Sequence, residues 1–468
     1  MTDLLFSPLD TRYSKDLPFS LSEQAVLGTQ TEVERVWLET LMSEGICPRV
    51  PAKRLSEALE GLGQEEVEKI EERTRHATRA LVEAIAARLS AAGLGAQAEW
   101  THVGLTSFDT VDTALRLRMK RFFTEDFYPA LDGLKAELRR WAQAHAKTGQ
   151  VGRTHGQWAV PTLFGLQFAE ALDRIAEMEP RLREAVADLR GQSSGAIGGY
   201  HASSLLSKKP LELEAKFLGR LGLKPHYGST QILPPEDLLA CASDTAALCS
   251  VVAKLATDLR HLARSEIGEI AEGFAPGQVG SSTMPQKRNP WNLEHVCSLW
   301  KVLLSRLQLL QLDLVSEHHR DLTNSASGRF HHEVFAVAYL MIKRLTRVLS
   351  RMEAVKPRLA QHLEAAGPSV LAEAFYVLGT KHGIKHAHDV VREAARESEA
   401  TGETLFDVLA SQGWLPRGLT QNKLREDVLA GSRQKLDLIL KRHPAPKAKK
   451  TPKASNKKET RGVRTRRG

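Results

Sequence analysis

The sequence predicts an all-α fold built on long central helices packed as a bundle, and three observations carry that prediction. Phe168, Leu172, Ile175, Ala176, Leu182, Val186 and Leu189 recur at i, i+3/i+4 spacing between Gly165 and Gly191. Residues 299–315 are apolar on nearly every side: Trp300, Leu303, Leu304, Leu307, Leu310 and Leu314 form one face, widened by Val302, Leu309 and Leu312. A helix apolar all round is normally surrounded by other helices. Strand-like alternation bounded by turn residues is scarcely visible anywhere.

Three helical units and a tail follow in order along the chain. Residues 1–108 form an N-terminal unit of shorter helices with Gly/Pro punctuation. Residues 109–355 hold the long helices, with further helical patterns at about 110–147, broken near Pro129, and at 236–270. Residues 356–442 read as shorter helices separated by Gly367-Pro368, Gly402, Gly413 and Pro416. The apolar surface of 299–315 exceeds what one chain's bundle hides, so a helix-mediated homo-oligomer is expected. Residues 443–468 are a basic tail. From 447 onward it carries ten Lys/Arg against the single acid Glu459, so it accounts for the whole net charge of +9. Such a Lys/Pro/Ala/Thr segment cannot bury a core. Weak, salt-sensitive polyanion binding and a purely solubilising role are both open to it.

With 468 residues, 42% of them hydrophobic, 26% charged and 6% aromatic, the composition excludes disorder for most of the chain. Cys47, Cys241, Cys249 and Cys297 lack CxxC spacing, so they read as reduced core thiols, with neither a disulfide framework nor a zinc site. The first residues, MTDLLFSPLDTRYSK, lack the order of a signal peptide. No apolar run approaches the ~20 residues of a membrane span, and the run at 245–253 is closed by Asp244 and Lys254. The expectation is a soluble cytoplasmic protein.

Four stretches carry side chains suited to chemistry. Gly280-Ser-Ser-Thr-Met-Pro-Gln-Lys-Arg-Asn-Pro290 combines loop residues with the donors of Lys287, Arg288 and Asn289. It fits a segment that closes over an anion; read alone, it is equally a basic surface loop. Gly152-Arg-Thr-His-Gly-Gln157 sets an imidazole among small polar residues just before a helix, suited to proton transfer or simply structural. In Thr101-His-Val-Gly-Leu-Thr-Ser-Phe-Asp109, Thr106 and Ser107 stand at a helix start, as an anion cradle or an ordinary cap. Arg320-Asp-Leu-Thr-Asn-Ser-Ala-Ser-Gly-Arg329 spaces two guanidiniums around a serine, a phosphate-binding pattern or a solvated turn. His318/His319 and His331/His332 form no HExxH motif, and no metal site is expected.

Together these stretches resemble the fumarase/aspartase superfamily of lyases. Ser7-Pro-Leu-Asp-Thr-Arg-Tyr13, the RTHGQ element, the THVGLTS-x-D-x-VDTAL run and the Arg320/Ser325/Arg329 spacing are similar to its adenylosuccinate lyase branch. The resemblance covers roughly residues 5–440. It implies a three-domain, all-α lyase whose homotetramer assembles each active site from three subunits, with no cofactor or metal. It also implies anti elimination of fumarate in purine biosynthesis: from adenylosuccinate, giving AMP, and from the succinylated imidazole carboxamide ribotide, giving AICAR.

The roles implied are Ser281 as base and His155 as the acid that protonates the leaving nitrogen. Lys287 and Asn289 stabilise the aci-carboxylate, and Glu294 orients His155. Arg12, Tyr13, Ser325 and Arg329 would meet the nucleotide phosphate. Arg75, His76, His102, Thr106, Ser107, Thr154, Gln231, Ser282 and Arg320 would complete the substrate shell.

Three positions depart from the branch: Ala77-Thr78 replaces Asp-Val after His76, Pro234-Pro235 stands where an arginine is common, and His319 replaces a glutamate. Argininosuccinate lyase and carboxymuconate cycloisomerase are the sister alternatives. A non-catalytic scaffold tethered by its tail is the alternative of another class.

Overall fold

A computed structural model describes residues 13–273, 283–284 and 286–445. The N-terminal unit starts where Ser22 caps helix α1 (Glu23–Ser43), its hydroxyl accepting the Ala25 N–H at 3.1 Å. Helices α2 (Ala52–Leu59), α3 (Gln64–Thr74), α4 (Ala77–Ala91) and the single turn α5 (Gly95–Ala98) follow. They enclose an apolar cluster of Leu38, Leu41, Leu55, Ile85 and Leu89, in which Trp37 meets Phe217 edge-on at 5.2 Å. Phe217 comes from α10 (Pro210–Arg220), preceded by the single turn α9 (Ser203–Leu206), so this core borrows residues from well downstream.

The central bundle is built from α6 (Ser107–Phe122), α7 (Tyr128–Ala144), α8 (Leu166–Ala187), α11 (Glu236–Leu262), α12 (Trp291–Leu312) and α13 (Glu333–Arg351). The expected break near Pro129 is a π-helical turn, Phe123–Phe127, that leads directly into α7. Proline lacks an N–H and crowds the carbonyl four residues back, and a widened turn relieves both conflicts. That turn also directs Phe122, Phe123 and Phe127 inward, and Phe123 packs edge-on against Phe335 at 5.3 Å. The pattern expected over 236–270 ends as helix at Leu262, and Gly268 adopts φ +59° in the turns that follow. Among the described residues α11 alone is long and apolar enough to cross a membrane by length and composition. It is a core helix: Cys241, Leu248, Cys249 and Leu259 are wholly buried.

Of the C-terminal helices α14 (Lys356–Ala365), α15 (Ala372–Lys381), α16 (Ala387–Thr401) and α17 (Leu405–Ser411), the first packs Leu359 in the central core and the last three surround Phe375, Val408 and Leu409. The last helix, α18 (Gln421–Arg442), joins two cores, with Leu424 in this cluster and Leu429, Leu436 and Ile439 in the central one.

One feature corrects the sequence reading. Strands are present: β1 (Gly149–Thr154) and β2 (Gln157–Leu163) form an antiparallel hairpin, and β3 (Ile270–Ala271) pairs with β4 (Glu353–Ala354). The hairpin is short and punctuated by Gly149, Gly152 and Pro161, which dilutes the period-two signal. The histidine of RTHGQ accordingly sits at a hairpin tip, and α8 begins only at Leu166. Helix α12 leaves Val302, Leu304 and Leu312 39%, 42% and 66% exposed, and Val315 just beyond it 79% exposed, an apolar surface larger than one chain's bundle hides, as its sequence predicts.

Candidate active site

His155 and Gly156 form the two-residue turn of the hairpin, with φ +54° and +77°. Positive φ at both central positions is the type I′ geometry that matches the twist of paired strands. The turn holds Thr154 opposite Gln157 and presents the His155 ring to solvent, with no hydrogen-bond partner among the described residues. The stem is fixed from within. Glu269, wholly buried just before β3, receives Arg153 at 2.6 and 3.1 Å, Gln150 at 2.7 Å and His362 Nδ1 of α14 at 2.7 Å. Burial alone would raise this carboxyl's pKa, but the bonds from Arg153, Gln150 and His362 hold it below the ordinary range.

Ser281 and Ser282 lie outside the described residues. On either side of them the chain is anchored. Glu272 accepts the backbone N–H of Asn292 at 3.3 Å and of Leu293 at 3.5 Å, and bonds the Asn292 side-chain amide. A buried carboxylate at the start of α12 answers the unpaired N–H groups of its first turn. Arg344 fastens the other end of Asn292, donating to Oδ1 at 3.0 Å. Lys287 is exposed, its N–H bonded to the Met284 carbonyl at 3.0 Å; Asn289 is half-buried, and Glu294 is exposed in the first turn of α12. No hydrogen bond or ion pair joins Glu294 to His155 within one chain, among the described residues.

A third group forms around the start of α6. The Trp37 indole donates to the Val103 carbonyl at 2.9 Å and pins the loop before the helix. In that loop His102 adopts φ +64°, and its Nδ1 meets buried Glu34 at 2.7 Å. Burial disfavours charge on His102, but the Glu34 carboxylate, aided by Asp109, lifts its pKa above the usual value. Asp109 accepts the N–H groups of Thr106 at 2.8 Å and Gly195 at 3.2 Å; burial pushes its carboxyl up to about 7. Beside it, the Arg320 guanidinium lies 3.7 Å from the centre of the Phe108 ring and donates to Gln231 Oε1 at 3.2 Å. His102, Thr106, Ser107, Gln231 and Arg320 are therefore brought together within one chain.

Two of the departures acquire a structural reading here. The His319 side chain is exposed, while its carbonyl accepts Thr230 Oγ1 at 2.7 Å and the Gln231 N–H at 3.3 Å. The main chain at 319 thus positions Gln231, whatever the side chain. Pro235 stands immediately before α11, where its missing N–H is no loss.

The remaining residues sit apart. Ser325 and Arg329 are exposed in the turn after α12, which Asp313 organises through Ser327 Oγ at 2.7 Å and His331 Nε2 at 2.7 Å. Arg12 lies outside the described residues, and Tyr13 packs partly buried against the central core. Arg75 ends α3 in the left-handed region at φ +52°, and His76 caps α4, its Nδ1 accepting the Arg79 N–H at 3.2 Å. That bond places the ring proton of neutral His76 on Nε2. Ala77 follows as an exposed first residue of α4. Sequence reading missed Glu34, Phe108, Glu269, Glu272 and Asp313. Only Asp109 left a signal, three residues after Thr106 in capping-box spacing.

Comparison with known proteins places this arrangement. The family described as "Lyase" matches residues 20–302, and "Adenylosuccinate lyase C-terminal" matches residues 316–426. Among solved structures, 3-carboxy-cis,cis-muconate lactonizing enzyme from Pseudomonas putida superposes with a TM-score of 0.81 at 23% identity, over 93% of this chain and 99% of its own. A fumarate lyase from Mesorhizobium sp. BNC1 gives 0.76 at 22% identity, over 90% and 96%. These likenesses establish the fold, that of the fumarate lyase class. Curated adenylosuccinate lyases are nearer in sequence. That of Archaeoglobus fulgidus is 30% identical over 94% of this chain and 98% of the relative, and that of Pyrococcus horikoshii 32% identical over 90% and 93%. The chain belongs to the adenylosuccinate lyase family; it is an enzyme, a carbon–nitrogen lyase.

Proposed function

We propose that the enzyme splits adenylosuccinate into AMP and fumarate, and the succinylated imidazole carboxamide ribotide into AICAR and fumarate, both within purine biosynthesis. Ser281 removes the Cβ proton of the succinyl group, and the electron pair passes into the adjacent carboxylate. Lys287 and Asn289 stabilise the resulting aci-carboxylate. Its collapse forms the C=C bond of fumarate and breaks the Cα–N bond, while His155 donates a proton to the departing nitrogen. The observation that carries this reading is the presentation of His155. It stands on a tight turn, anchored below and unpartnered among the described residues, as a proton donor to a ligand requires.

Since His155 and Glu294 do not meet within one chain, we assign the complete site to a homotetramer in which subunits share residues. The exposed Leu304, Leu312 and Val315 are the apolar surface such an assembly would cover. The cluster of His102, Thr106, Ser107, Gln231 and Arg320 would take the substrate's anionic groups, with Arg75, His76 and Thr154 added across the assembly. Arg12, Tyr13, Ser325 and Arg329 would receive the phosphate. Division into 1–108, 109–355 and 356–442 is supported by three separate apolar clusters, the first reinforced by α10. Four free cysteines fit the reducing cytoplasm, and the 443–468 tail would bind polyanions weakly.

The test is fumarate release by the purified protein from adenylosuccinate and from argininosuccinate, with ring opening of the carboxymuconate lactone followed separately. Turnover is expected with the first alone. Release from argininosuccinate with adenylosuccinate untouched would move the enzyme to the sister branch. Ser281→Ala should abolish turnover and His155→Gln should lower it by roughly 10²–10⁴-fold; wild-type rates in either would remove that residue from its role.

A further inference from the structure

Glu269 makes no contact with the tip of the hairpin, yet it receives every charged or amide side chain of the stem that turns inward. Gln150 and Arg153 are three residues apart and would face opposite sides of a regular strand. The pairing register shifts between Val151 and Arg153, and such irregularities increase local twist and redirect side chains. Gly152 stands at that shift, where a Cβ would come within 2.8 Å of the Val160 carbonyl oxygen. Both side chains consequently converge on one carboxylate, Arg153 in a two-pronged ion pair.

The carboxylate is itself immobilised. The Glu269 N–H bonds the Leu262 carbonyl at 2.9 Å, and its carbonyl accepts the Val355 N–H at 2.9 Å. His362 approaches from α14, with its ring 6.2 Å from that of Trp158 on the second strand. Arg358, also on α14, faces Gly268 and donates to the Glu266 carbonyl at 3.4 Å. A single buried anion therefore joins the turn after α11, the residue after β4, α14 and the first strand of the hairpin, with the second strand reached only through the His362 ring beside Trp158.

We propose that Glu269 is a positioning residue for His155, holding the hairpin stem in the geometry that aims the imidazole at the leaving nitrogen. This rests on the reading of His155 given above. A proton donor displaced by about 1 Å loses on the order of 10²-fold in rate, so the effect belongs in kcat.

The experiment compares full-length wild type with Glu269→Gln and Arg153→Lys. In Glu269→Gln, kcat for adenylosuccinate should fall roughly 10²-fold with KM within about threefold. Arg153→Lys keeps the charge but loses the two-pronged bond, so kcat should fall there too. It also carries the kinetic test if Glu269→Gln fails to fold. Hydrogen exchange of the 149–163 amides, a readout that needs no substrate, should be at least about tenfold faster in both variants. Unchanged exchange and unchanged kcat would overturn the proposal, as would a lowered melting temperature with wild-type kcat. Wild type that releases no fumarate would instead sink the functional reading, while the exchange arm would still decide whether Glu269 holds the hairpin.

Discussion

At the scale of single residues, the most consequential group outside the proposed chemistry is Asp109. Burial raises its carboxyl from the ordinary 3.8 to about 7. The native protein therefore keeps a proton that the unfolded chain has already released, and stability drains away as pH rises from about 4 to about 7. Asp109→Asn keeps the shape of the neutral acid and removes the titration. The difference in melting temperature, wild type minus Asp109→Asn, should accordingly shrink between pH 5 and pH 8. A constant difference would show that Asp109 does not titrate in that interval. At this scale, residues that meet solvent or ligand are legible in sequence because loop chemistry announces them, as at His155, Lys287 and Arg320. Glu34 and Glu269 are not. Each lies in an ordinary helical or turn context, and only the fold brings His102 or Arg153 to it.

Among the elements, the hairpin departs furthest from expectation. Its strands are brief and interrupted by glycines, yet the dipeptide His155-Gly156 sets the turn, and Gln157-Trp-Ala-Val-Pro-Thr-Leu163 follows as a weakly alternating strand. Gly156 has open space around its α-carbon, so its requirement is conformational alone. Gly156→Ala should cost about 1–2 kcal/mol through the left-handed backbone, read by thermal or denaturant unfolding. Gly156→Asn should cost less, because asparagine tolerates that region, and an equal loss in both would mean that crowding is responsible. The long helices, by contrast, were legible in their centres, since each keeps one face in the core over several turns, but not at every end: α11 stops at Leu262 rather than at 270, and α12 begins at Trp291, ahead of 299. A further departure is the junction at Phe123–Phe127, where proline sequence grammar forecasts a break and the protein inserts a wider turn.

For the whole molecule, the uncovered face of α12 matters most. Leu304 and Leu312 on α12 and Val315 just after it stand exposed, although the sequence of this region is apolar on nearly every side. Leu304→Glu combined with Leu312→Glu should break the proposed homotetramer, giving a smaller species by light scattering and a loss of turnover far beyond that of either change alone. An assembly of wild-type mass from the double variant would mean that this face is not the contact. All-α class and bundle architecture were readable in the periodicity, whereas the pairing of α10 with the N-terminal core was not, because no local pattern encodes a contact between Trp37 and Phe217.

Helix α18 has a consequence for how the molecule is made. Its Leu436 and Ile439 complete the central core, and beyond them Arg139 of α7 holds the Leu440 carbonyl at 2.7 Å while His443 meets Asp173 of α8 at 2.7 Å. On the ribosome, α7 and α8 emerge some 250 residues before their final partner. The nascent bundle must wait with a seam open along those two helices, exposed apolar surface that invites chaperones, and it can seal only once α18 has itself been made.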